Sequence, residues 1–113
     1  MGEPSLTTQT LRVLNLMLSD RDAEWYGLEL SKRSDLKPGT IYPMLDRLLK
    51  VGWLERRWED IDPALEGRPR RRLYRLTGVG ARAAGDALEE HLASLRRLQP
   101  RERFDPSPRP RVA

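Results

Sequence analysis

The 113 residues fit one domain, and one compact core is expected, with no room for both a sizeable substrate domain and a separate binding module. Its 38% hydrophobic and 34% charged residues describe a polar protein with a modest core, which a second subunit would help to complete. The net charge of +4 is carried almost wholly by arginine, since Lys32, Lys37 and Lys50 are the only lysines, and such a balance fits either a nucleic acid or an anionic membrane surface. The lack of cysteine excludes disulfides, thiolate nucleophiles and cysteine-built metal centres. No leader pattern opens the chain and no run nears the roughly 18 apolar residues of a membrane span, so a cytoplasmic protein without membrane association is expected.

Leu11, Leu14 and Leu18 recur at helical spacing, with Val13, Leu16 and Met17 on the flanks. This predicts a largely buried first helix capped by Thr7 or Thr8. Trp25 to Ser34 predicts a short second helix, and Asp35 to Gly39 a turn. Pro38, with its preset φ and missing amide, opens a third helix that reaches about Lys50. Ile41, Leu45, Leu48 and Leu49 form its apolar face, opposite Thr40, Tyr42, Asp46, Arg47 and Lys50, and Gly52 stops it. WLERRWED from Trp53 predicts a strand, Ile61 to Pro69 a loop, and RRLYRLT from Arg71 a second strand, together a hairpin with a basic tip. From Thr77, a candidate cap, a fourth helix runs to about Gln99. Along it Ala81, Gly85, Leu88, Leu92 and Leu95 approximate a heptad seam whose small residues permit close helix approach.

Three helices, two strands and a helix in that order are the plan of a winged helix-turn-helix domain: mainly α with a small β-hairpin wing, and a third helix able to enter the major groove. The expected division is a DNA-binding domain over residues 1–76, a C-terminal dimerisation helix over 77–99, and a disordered tail rich in arginine and proline over 100–113. Such a frame also serves in protein-interaction modules, so function has to come from the residues it carries.

Those residues are specific. KPGTIYPMLDRLLKVGWLERR followed by GRPRRRLYRLTGVGARA resembles the PadR family of transcriptional regulators, in order and spacing, through Pro38 to Pro43, Leu45, Leu48, Gly52, Leu54, Gly67 to Arg70, Tyr74, Leu76, Thr77 and Gly80. The likeness spans roughly Leu11 to Leu98. It departs where the family often has His-Gly-Tyr and this chain has Tyr26, Gly27 and Leu28, and in a somewhat long loop from Asp60 to Glu66. A single last helix with a short tail resembles the short-tailed members. The resemblance implies a regulator, expected to repress by occupying a promoter.

On this frame Lys37, Thr40, Tyr42, Pro43 and Arg47 are the expected contacts of the third helix with double-stranded DNA. The plainer alternative packs Tyr42 and Pro43 into the turn and leaves Arg47 to solvent. Arg68, Arg70, Arg71 and Arg72 cluster at the wing tip, where guanidinium groups can straddle phosphates or enter a narrow minor groove. A homodimer on an inverted repeat is expected, sealed by Leu88, Leu92 and Leu95 against the partner, with Leu11 and Leu14 of the first helix beside them. Trp25, Trp53 and Trp58 suggest a stacking set for a flat small-molecule effector at the dimer interface, against the alternative that they close the core. His91 reads as an interface or surface residue, and Glu59, Asp60 and Asp62 as a solvated acidic turn. No phosphate-cradling glycine loop, catalytic triad or metal-ligand spacing appears, so neither enzymatic activity nor a cofactor is expected.

Overall fold

The computed structural model describes residues 6–98. Helix α1 spans Thr8–Leu18, and the Thr7 hydroxyl accepts from the amide of Thr10 at 3.1 Å, so Thr7 is the cap. The helix buries Leu11, Val13, Leu14 and Met17. The next element corrects the predicted second helix. Trp25–Tyr26 is a short strand, β1, and helix α2 begins only at Gly27 and ends at Ser34. The aromatic pair suits a strand, and its backbone partner, Leu73 and Tyr74, is far away in sequence. A local helical pattern could not reveal that pairing. Asp35, at φ 59, then turns the chain toward the next helix.

Helix α3 runs Pro38–Lys50 behind Lys37, with Pro38 in its first turn. It buries Ile41, Met44, Leu45 and Leu48. Pro43 lies inside the helix on the exposed side and denies the Gly39 carbonyl its usual i+4 amide, at a residue that is itself open to solvent. Gly52, at φ 80, allows the turn into strand β2, Leu54–Trp58.

The wing loop carries a second correction, a one-turn helix α4 over Pro63–Glu66 within the stretch expected to be irregular. Asp62 caps it through the amide of Ala64 at 3.0 Å. Strand β3, Arg72–Leu76, pairs antiparallel with β2 from Leu54 opposite Leu76 to Trp58 opposite Arg72. It also pairs with β1, so a three-stranded sheet of order β1-β3-β2 replaces the expected two-stranded hairpin.

Helix α5 covers Gly78–Arg97, and the Thr77 hydroxyl accepts from Gly80 at 2.9 Å while donating to the Gly52 carbonyl at 2.7 Å. One threonine thus caps α5 and ties it to the turn after α3. Ala81 and Ala84 enter the same core as Val13, Leu14, Met17, Leu30, Ile41, Leu45 and Leu48. Leu14 has no exposed surface, so it is not available to a partner subunit as expected, whereas Leu11, also largely buried, lines the hollow beside Leu88 and Leu92. Apolar spacing marks a residue as buried, but not within which subunit. The predicted tail, 100–113, lies outside the described residues.

Candidate nucleic-acid interface

The apolar residues of α3 are spent on the core, which leaves Lys37, Tyr42, Pro43, Asp46, Arg47 and Lys50 exposed along its outer side, with Thr40 half-buried. Tyr42 is at once packed and exposed. Its ring lies on the backbone of Gly27, where an added Cβ would come within 2.5 Å of the ring, and yet 38% of the residue remains exposed. The ring is held by the neighbouring helix while its outer side stays free for contact.

Tyr42 and the wing share one hollow of about 250 Å³, lined also by Tyr26, Leu28, Trp58, Arg70, Arg71 and Arg72. The structure therefore brings the third helix and three of the four wing arginines to one surface. Around them the other arginines of the sheet face carboxylates: Arg57 pairs with Glu24 at 2.6 Å, Arg75 with Glu55, and Arg56 more loosely with Asp46 at 4.0 Å. Arg71 instead lies 4.7 Å over the Tyr26 ring and Arg72 4.5 Å over that of Trp58, while Arg70 donates to the Ile61 carbonyl at 3.0 Å. Among the described residues none of these three meets a carboxylate at ion-pair distance. Stacking steadies a guanidinium and leaves its edge donors available, the arrangement that suits phosphate.

Arg68 differs from its neighbours. It forks onto Glu59, Nη1 to Oε1 at 2.7 Å and Nη2 to Oε2 at 3.0 Å, and so is turned inward. Glu59 also accepts from the Tyr26 hydroxyl at 2.9 Å and the Arg71 amide at 3.2 Å. It is therefore no solvated turn residue. The hairpin register carried the missed signal: with Trp58 opposite Arg72, the residue that follows β2 falls beside Arg71 and the tip of the wing.

Arg68 above all, then the Tyr26 hydroxyl and the Arg71 amide, hold the Glu59 carboxyl below its ordinary 4.5, at about 2, against the opposing effect of burial. A carboxylate with a depressed folded pKa contributes stability that is complete above the unfolded value and is lost as the pH falls through the folded one. The stability gap between wild type and Glu59→Gln should accordingly be widest above pH 4.5 and close toward pH 2. Urea unfolding at a series of pH values measures it, and a gap constant across that window would contradict the assignment.

The tryptophans do not form the expected set. Trp25 and Trp53 are buried in the core, whereas Trp58 is 56% exposed on the wing under Arg72. Strand pairing buries the first, the turn after α3 buries the second, and the wing carries the third away from both, so no single cavity gathers them. Leu88 is half-buried on α5, and Leu92 and Leu95 are exposed. His91, half-buried, lines the hollows between α1 and α5. Among the described residues no helix is long and apolar enough to cross a membrane.

The model of the transcriptional regulator PadR-like family matches residues 13–86, from the middle of α1 into α5. The chain belongs to that family. This PadR-like regulator has no match among curated protein sequences. Among solved structures it is similar to a transcriptional regulator homologue from Pyrococcus horikoshii (TM-score 0.64, 21% identity, covering 80% of this chain and 83% of that one). It is similar also to the smu.1704 protein of Streptococcus mutans (TM-score 0.61, 26% identity, 84% and 87% covered) and to the apo form of MarR from E. coli (TM-score 0.61, 23% identity, 83% and 76% covered). The fold of the PadR-like chain is that of the winged-helix regulators, mostly helical with a small antiparallel wing sheet.

Proposed function

We propose that this transcriptional regulator binds an inverted-repeat operator in duplex DNA as a homodimer and represses by occupying it. The observation that carries the reading is the surface shared by Tyr42 of α3 and Arg70, Arg71 and Arg72 of the wing. Helix α3 suits the major groove, where Tyr42 and Arg47 reach base edges while Lys37 and Thr40 meet phosphate, and the wing arginines suit the flanking backbone or minor groove.

Residues 77–99 serve as the dimerisation helix in this reading, through Leu88, Leu92 and Leu95, and residues 1–76 as the DNA-binding part. Charge on α5 favours an antiparallel pair. Glu89, Leu92, Ala93 and Arg96 follow one another at helical spacing on one flank, so antiparallel helices set Glu89 against the partner's Arg96, twice by symmetry, and parallel ones oppose like charges.

Selection of bound duplexes from a random pool, followed by anisotropy at several salt concentrations, tests the reading. An enriched inverted repeat bound well above random DNA supports it; recovery of no motif would sink it and turn attention to a protein partner. Tyr42→Ala should weaken operator binding by about 10- to 100-fold, the worth of a base contact, and binding to random duplex much less. Arg70→Ala with Arg71→Ala should weaken both kinds of binding and reduce the salt slope by about 2, because phosphate contacts carry little sequence information. Equal losses on both duplexes for Tyr42→Ala would deny it a role in base reading.

A further inference from the structure

Glu59 is the one buried charged side chain among the described residues, at 9% exposure, and its four hydrogen bonds come from three residues in different places. Arg68 belongs to the wing tip, the Arg71 amide to the start of the returning strand, and the Tyr26 hydroxyl to the junction of β1 and α2. The next residue, Gly27, is the one on whose backbone the Tyr42 ring lies. A continuous set of contacts thus runs from the wing tip through Glu59 and Tyr26 to the exposed ring of α3.

We propose that Glu59 is a positioning residue that clasps the wing to α3 through Tyr26, so that Tyr42 and Arg70 to Arg72 meet DNA as one preformed surface. The proposal rests on the DNA-binding reading above. A wing held before binding loses less conformational freedom on binding, which raises affinity without adding a contact. Arg68 then acts inside the clasp and not on phosphate, and its charge offsets that of Glu59 beside a polyanion.

The sign of one substitution separates this role from simple electrostatics. Glu59→Gln removes a negative charge next to the interface, and Coulomb attraction alone would then strengthen binding to DNA. Loss of the clasp predicts the opposite, because an amide cannot accept the Arg68 fork as a carboxylate does. Glu59→Gln should weaken operator binding by about tenfold, the scale of a lost charge-assisted hydrogen bond, despite the more positive protein.

Backbone nitrogen relaxation of the DNA-free protein supplies the second readout. The amides of residues 60–71 should lose order in Glu59→Gln while those of α3 keep theirs, and Tyr26→Phe, which removes a single hydroxyl, should move both measurements the same way by less. Unchanged or tighter DNA binding would overturn the proposal, as would a wing whose order does not change. A merely structural role would lower the melting temperature and leave wing order and affinity in the folded protein untouched. Should wild type bind no duplex, the DNA reading itself fails, and with it this role, whereas the relaxation data still report on the clasp.

Discussion

Replacing Gly80 with alanine is expected to destabilise the fold by about 3 kcal/mol, at the upper end of what overpacking usually costs. A Cβ at Gly80 would stand 1.9 Å from the Trp53 carbonyl oxygen and 2.6 Å from its carbon. These are backbone atoms and cannot rotate aside. The Trp53 amide is bonded to the Leu48 carbonyl at 3.0 Å, and the Trp53 carbonyl accepts from Thr77 at 3.0 Å, so relief requires moving α5 away from the end of α3. The melting temperature should fall by about 10 to 20 °C for a domain of this size. The same substitution at Gly39, where nothing among the described residues lies within 4 Å of the added carbon, should instead be neutral or stabilising by up to about 1 kcal/mol through helix propensity. Thermal unfolding of the two variants side by side checks both signs, and a Gly80→Ala protein melting within a degree or two of wild type would mean that α5 does not approach the turn as described.

Substituting both Leu92 and Leu95 with glutamate should turn the proposed dimer into a monomer and lower affinity for the inverted repeat by about 100-fold or more. Two linked half-site contacts gain an avidity that one cannot have. These leucines are 52% and 48% exposed in the single subunit, so charge at those positions burdens the interface and spares the subunit core. Sedimentation would read the subunit count and anisotropy the loss of affinity. A double variant that still sediments as a dimer would place the interface elsewhere than on the leucine seam of α5.

Local patterns in the sequence determined much of this protein. The 3.6-residue spacing of Ile41, Leu45 and Leu48, with Pro38 in front and Gly52 behind, delimited α3 and decided which of its sides faces outward, because capping and amphipathicity are properties of neighbouring residues. The PGTIYP and GRPRRR segments likewise pointed to the family through residues close together in the chain. What the tertiary structure alone decided concerns partners distant in sequence. Trp25 and Tyr26 look like the start of a helix until Tyr74 and Leu73 are laid beside them, since sheet hydrogen bonds are made across the chain and leave no local period. Leu14 and Leu92 both read as apolar helix positions; only packing shows the first enclosed by its own subunit and the second left open. Four arginines in one run look equivalent, yet pairing across the wing gives Arg68 to Glu59 and leaves Arg70, Arg71 and Arg72 without a carboxylate among the described residues, because an ion pair depends on distance in space, which strand register sets.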